Sequence, residues 1–142
     1  MKEKALNYIC LMKKANAIQI GENDTGTAVR SNQAKLVVLA ADASDNARHR
    51  AEGFVHGRNV PLIVSTFTKN EISQAVGKNG CSMAAICDIG FADSFIRCLC
   101  AISPGEYGST AENIANALVE AKTHRQDKAH RKNMSTGKRR KN

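Results

Sequence analysis

Lys35-Leu36-Val37-Val38-Leu39-Ala40 is the stretch on which the fold turns. A half-exposed strand alternates apolar and polar residues, and this run does not. Near-continuous aliphatic side chains fit a strand buried on both faces, as in parallel or mixed sheets covered by helices. Three shorter runs share this strand character: Ala17 to Ile20, Val60-Pro61-Leu62-Ile63-Val64, and Met83-Ala84-Ala85-Ile86-Cys87. Pro61 sits at a strand start, where a missing amide is tolerated.

Helical patterns fill the intervals. Residues Glu3 to Lys14 read as a helix with Leu6, Ile9, Cys10 and the stem of Lys13 on one face, and Asn16 suits the left-handed turn that ends it. Gly21-Glu22-Asn23-Asp24-Thr25-Gly26-Thr27-Ala28-Val29-Arg30 leads from a strand into a helix running to about Asn32, with Asn23 or Asp24 as the expected N-cap and Gly26 as a mild local cost. Ser44 opens a helix through about His56, which Gly57 ends. Thr68 and Glu71 have capping-box spacing ahead of a short helix closed by Gly77. Gly90 to Ile102 is a helix with Phe91, Phe95 and Leu99 at four-residue spacing. The alternation predicts a three-layer α-β-α sandwich around a small sheet of four strands.

Ser103-Pro104-Gly105 reads as a break. The expected division is residues 1–102 as the domain and 103–142 as a basic C-terminal extension. Ser109-Thr110-Ala111-Glu112 has a second capping-box spacing, which places a helix over about 110–132, disordered sequence following it. Ile114, Ala117, Leu118 and Ala121 form its apolar stripe, suited to docking on the domain, to pairing with another chain, or to ordering on a partner.

The net charge of +8 is unevenly placed. Residues 1–121 hold 12 Lys and Arg against 12 Asp and Glu, so the excess lies entirely in the last 21 residues. There Lys122, Arg125, Lys128, Arg131, Lys132, Lys138, Arg139, Arg140 and Lys141 face one acid, Asp127. Such a tail suits phosphate contacts, with nucleic acid the commonest partner. No run is apolar enough for a membrane span and no signal core follows the N-terminus, so a cytoplasmic protein without membrane contact is expected.

The five cysteines are odd in number, form no Cys-x-x-Cys pair and sit mostly among apolar residues. Reduced, buried thiols are expected, with no metal site and no cofactor. No nucleotide-binding glycine fingerprint or Walker sequence is present. His49 and His56 share a helix face with arginines nearby, and Asp42, Asp45 and Asp88 read as caps and turns. No enzyme is expected.

Asn and Asp side by side at a helix start offer another chemistry. An amide presents a donor and an acceptor, and a carboxylate accepts from base N–H groups. RNA bases are accessible where they are splayed or non-canonically paired. Thr27 and Arg30 lie on the same helix face as Asn23, which puts a cation within reach of a phosphate or a guanine edge.

Residues Leu6 to Ala101 resemble the kink-turn RNA-binding ribosomal proteins of the L7Ae and L30e group, nearest the small bacterial members of the YlxQ type. Gly21-Glu22-Asn23-Asp24, Ala34 through Ser44, Thr68-Lys69-Asn70-Glu71-Ile72, Val76-Gly77-Lys78 and Asp88-Ile89-Gly90-Phe91-Ala92 carry the resemblance in order and spacing. It implies an α-β-α sandwich with a small mixed sheet, and binding to a kink-turn or similar internal loop with tandem sheared G·A pairs, ribosomal RNA included. In that family a Gly-x-Asn-Glu-x-x-Lys stretch reads the guanines. Carried over, Gly21, Glu22, Asn23, Asp24, Thr27 and Arg30 form the reading face, and Asn79, Gly80, Cys81 and Ser82 form a second loop against an extruded nucleotide. Thr27 stands where the family has Lys, and Asp24 is one methylene shorter than the usual Glu. The basic tail would make up for the weaker guanine-edge binding that these two departures imply. The alternative is a member that has left kink-turn reading and uses its 110–132 helix to bind a protein partner.

Overall fold

The computed structural model describes residues 2–77 and 81–121. Among these the elements run α1 (Lys2–Lys14), β1 (Ile18–Ile20), α2 (Glu22–Arg30), β2 (Leu36–Leu39), α3 (Asp45–Val55), β3 (Leu62–Val64), α4 (Lys69–Val76), β4 (Met83–Ile86) and α5 (Ile89–Ile102). A further helix, α6, spans residues 104–121. The four strands form one sheet in the order β1-β4-β2-β3. β2 and β3 are parallel, and β4 runs antiparallel to both β1 and β2. The sheet is therefore small and mixed, with helices on both sides.

The apolar run in β2 has the reason expected of it, since every residue from Leu36 to Leu39 is buried. Alternate side chains enter two separate cores, because neighbouring strand residues point to opposite faces. Leu36 and Val38 meet Ala5, Ile9 and Met12 of α1, Ile72 and Val76 of α4, and Phe95, Ile96 and Leu99 of α5. Val37 and Leu39 meet Ala28 and Val29 of α2 with Ala47 and Ala51 of α3. β4 is built the same way and is also buried throughout. Its Ala84 and Ala85 stand opposite Val38 and Val37 in register, so small residues alternate with larger ones across the sheet centre.

Local signals also hold. Thr68 and Glu71 form the full capping box of α4, and Gly77 ends that helix in the left-handed conformation. Asp88 caps α5 by accepting from the Phe91 amide at 3.0 Å. Asn16 is left-handed, with φ 61°. The five cysteines carry no disulfide; only Cys81 of them is buried, and Cys10, Cys87, Cys98 and Cys100 are half-buried, so the expected burial is met at one position.

Two helical details differ from expectation. The buried face of α1 is Ala5, Ile9 and Met12, while Leu6 is half-buried and Lys13 exposed. Cys10 lies beside that face, its Sγ donating to the Ala75 carbonyl at 3.2 Å. The larger difference is α6. It begins at residue 104, so Ser109-Thr110-Ala111-Glu112 lies inside a helix already under way and caps nothing. Tertiary packing sets this start. Tyr107, one turn in, is 2% exposed, and its hydroxyl donates to the Val64 carbonyl at 2.6 Å. Ile114, two turns on, is 1% exposed. Both belong to the same core cluster as Ile63 of β3, so Ile114, the first residue of the apolar stripe, docks on the domain, while Ala117 is exposed and Leu118 half-buried. The rest of the expected 110–132 helix, and the sequence after it, lie outside the described residues.

Tyr107→Phe should lower stability to urea by about 1 kcal/mol, the net worth of one hydrogen bond, and Tyr107→Ala by about 3–5 kcal/mol. Burial first, and the Glu106 carboxylate second, push the Tyr107 phenol above its ordinary value of 10.0. The unfolded chain then loses this proton at lower pH than the folded one. The contribution is complete below about pH 10 and is lost as pH rises further. Alkaline unfolding curves of the wild type should show that fall, and those of Tyr107→Phe should lack it.

Candidate nucleic-acid interface

β1 ends at Ile20 and α2 begins at Glu22. One residue, Gly21, makes the turn between them. Its φ of 97° and ψ of 165° lie in a region open essentially to glycine alone. Its amide donates to the Met83 carbonyl at 3.0 Å and its carbonyl accepts from the Thr25 amide at 2.9 Å, which ties the turn to the start of β4. Gly21 is also the N-cap of α2, and as a glycine it makes no side-chain capping bond. The expected cap at Asn23 or Asp24 is therefore corrected: both lie inside the first turn. The sequence favours them as caps by side-chain chemistry, but the backbone reversal at position 21 decides where the helix starts.

The consequence is favourable to recognition. Asn23 and Asp24 are exposed on the first turn, at the helix end that carries partial positive charge. Thr27 and Arg30 follow on the same face, also exposed. The Thr27 hydroxyl donates to the Asn23 carbonyl at 3.0 Å, and Arg30 Nη2 approaches that hydroxyl at 3.5 Å. With no capping bond to draw it back onto the helix end, the Asn23 amide is presented outward by α2.

α3 and the turn that follows it lie beside α2 and support it along its length. Arg50 Nη1 meets Glu22 Oε1 at 2.6 Å. One turn on, a Cβ added to Gly26 would lie 2.9 Å from Cζ of Phe54. At the end of α2, Arg58 donates to the Val29 carbonyl at 3.0 Å. Gly26 is thus a helix glycine with a packing reason, since its bare Cα makes room for the Phe54 ring. Arg30 lies above that ring, 5.9 Å from its centroid.

Arg50, Phe54 and Arg58 were not among the expected site residues. Their signal is a matched period: Glu22, Gly26 and Arg30 repeat every four residues, and so do Arg50, Phe54 and Arg58. Of the second loop, Asn79 and Gly80 lie outside the described residues. Cys81 is buried, so its side chain faces the core, and Ser82 is half-buried, its carbonyl accepting from the Ala40 amide at 2.8 Å. Nearby, Asp42 Oδ1 accepts from the Lys69 amide at 2.7 Å and joins the end of β2 to the start of α4. The tail cations from Lys122 to Lys141 lie outside the described residues.

Comparison with known proteins gives the ancestry. The model of the ribosomal protein L7Ae/L30e/S12e/Gadd45 family matches residues 3–96. The chain belongs to that family. The RNA-binding protein YlxQ of Enterococcus faecium is 34% identical over 91 residues, covering 64% of this chain and 86% of that protein. A protein of unknown function from Bacillus halodurans superposes with a TM-score of 0.62 at 23% identity, covering 68% of this chain and 96% of the other. The Giardia lamblia 15.5kD RNA binding protein gives 0.53 at 21% identity, covering 68% and 84%. These two structures establish the shared fold. The family match stops within α5, so α6 lies beyond it. No helix among the described residues is long and apolar enough to cross a membrane.

Gly21→Ala should cost about 1–3 kcal/mol of stability, because a Cβ there meets no neighbour and the penalty is purely one of backbone conformation. Thermal unfolding of the full chain measures it. An unchanged midpoint would mean that the turn relaxes without strain.

Proposed function

We propose that this protein binds structured RNA, reading a kink-turn or a similar internal loop with the exposed first turn of α2, in the cytoplasm and in association with ribosomal or another folded RNA. The observation that carries this reading is the glycine-capped start of α2. Gly21 turns the chain without using a side chain, which leaves Asn23 and Asp24 outward at an amide-rich helix end. Asn23 suits a guanine edge, since its amide both donates and accepts, and Asp24 accepts from base N–H groups. Thr27 and Arg30 extend the face, with Arg30 supplying the cation that position 27 lacks. Glu22 keeps Arg50 at the rim. Of the second loop, Asn79, Gly80 and Ser82 meet the RNA, and Cys81, buried in the core, does not.

Family membership and the RNA-binding relative from Enterococcus faecium support the same reading. Within it, residues 1–102 read the RNA and residues 103–142 add affinity, the tail lysines and arginines contacting phosphates without regard to sequence. No reaction, metal or cofactor enters. The alternative use of the apolar stripe as a protein-binding surface has little support, because Ile114 is already spent inside the domain core.

A gel-shift with a kink-turn RNA tests the proposal. Asn23→Ala should weaken binding by about 1–3 kcal/mol, the usual worth of a paired base-edge contact, and should reduce the preference over a plain duplex. Equal binding by Asn23→Ala and wild type, with duplex competing as well as the kink-turn, would sink the specific reading.

A further inference from the structure

We propose that the seam between α2 and α3 is a track for RNA phosphates, leading from the first turn of α2 to a groove at the opposite end of the sheet. This rests on the RNA-binding reading and extends it to a surface beyond the first turn.

The cations are the first observation. Arg50 stands at the start of α2, Arg30 over its middle and Arg58 at its end, so α2 is flanked along its whole length of roughly 13 Å. All three side chains are exposed. Each is also held: Arg50 by the Glu22 carboxylate, Arg30 by the Phe54 ring, and Arg58 by the Val29 carbonyl and by Asn32 Oδ1 at 3.3 Å. A guanidinium has five N–H donors, and the hydrogen bonds of each side chain engage only one or two of them. A held arginine loses less freedom on meeting a phosphate than a loose one.

The groove is the second observation. It has a volume of about 1010 Å³ and is bounded by Lys35, His56, Arg58 and Asn59 on the domain side and by Asn113 and Asn116 of α6 on the other. Arg58 belongs to both seam and groove, so the track is continuous. The lining is rich in side-chain amides and cations, which suits phosphate and ribose oxygens better than an apolar peptide. Glu120 on the α6 wall is the opposing carboxylate there, while Glu22 and Asp24 face the other end. The basic tail follows directly in the sequence from this α6 wall, beginning at Lys122.

The geometry sets the RNA's form. The groove lies by the starts of β2 and β3, while Gly21 follows the end of β1 beside the start of β4. An RNA stem must therefore leave the reading face and run the length of α2 to reach it.

Fluorescence anisotropy on the full chain across a range of salt concentrations tests this, with kink-turn RNAs carrying a short or a long stem, and a long-stemmed RNA with a scrambled loop. The variants are Arg30→Gln and Lys35→Gln. Arg50 is left alone, because its removal would strip Glu22 of its partner beside the reading face. Each variant should flatten the dependence of log K on log salt by about 0.7–0.9, one phosphate contact. Lys35→Gln should weaken long-stemmed and scrambled RNAs equally, while Arg30→Gln, which also removes the cation of the reading face, should weaken the kink-turn RNAs more. Lys35→Gln should leave the short-stemmed RNA unaffected. Wild-type slopes for both variants on the long-stemmed RNA would overturn the track, as would polyglutamate competing as well as RNA at equal charge. Loss of kink-turn preference in the wild type, with the slope changes intact, would overturn the loop reading and leave the track standing. A wild type that binds none of the three RNAs overturns both.

Discussion

β2 and β4 lie side by side at the sheet centre with no face turned to water. Everything else in the molecule answers to that constraint. Two buried faces need two helical layers, and α1, α4, α5 and α6 cover one while α2 and α3 cover the other. The alanines of β4 lie opposite Val37 and Val38 at the sheet centre. After β1 the chain crosses from the sheet into the second layer within one residue, Gly21. Only glycine adopts the conformation that does this, and the same turn gives α2 an N-cap without a side chain. The turn into the second layer thus shapes the exposed surface on which recognition is proposed.

Much of this was legible in the sequence where the signal was local. The β2 run announced double-sided burial through its lack of alternation. Thr68 with Glu71, Asn16 and Gly77 announced helix ends through side-chain and backbone chemistry that acts within a few residues. The errors arose where distant contacts overrode local preference. Asn23 and Asp24 are good caps, but the amide and carbonyl of Gly21 are fixed by Met83 and Thr25. Ser109 and Glu112 have capping spacing, but Tyr107 anchors the helix earlier through a bond to Val64, a partner 43 residues away. Arg50 of α3 and Arg58 just beyond it were not legible as site residues because their partners on α2 lie 28 or 29 residues distant. The family resemblance, by contrast, was legible through the order of several weak stretches, and the match over residues 3–96 supports it.

The α2–α3 pairing shows how scaffold and surface share residues. Glu22 with Arg50 and Gly26 with Phe54 set the two helices in register, and Arg58, just past the end of α3, holds the Val29 carbonyl at the end of α2. The side chains that do this are long and charged or aromatic, with apolar stems inside and polar ends in water. Alignment of the helices and display of the cations are consequences of one set of contacts. Gly26 illustrates the balance, since its poor helix propensity is offset by the space it gives the Phe54 ring.

The outer strand β3 carries a different consequence. An outer strand offers backbone groups to any extended segment that drifts against it, the usual first step of strand addition and fibre growth. At the end of β3 the Val64 carbonyl is occupied by the Tyr107 hydroxyl, and α6 packs against Ile63. The opposite outer strand, β1, is only three residues long, too short to template much. Copies of the chain brought close together therefore meet an outer strand already engaged at Val64 by its own helix.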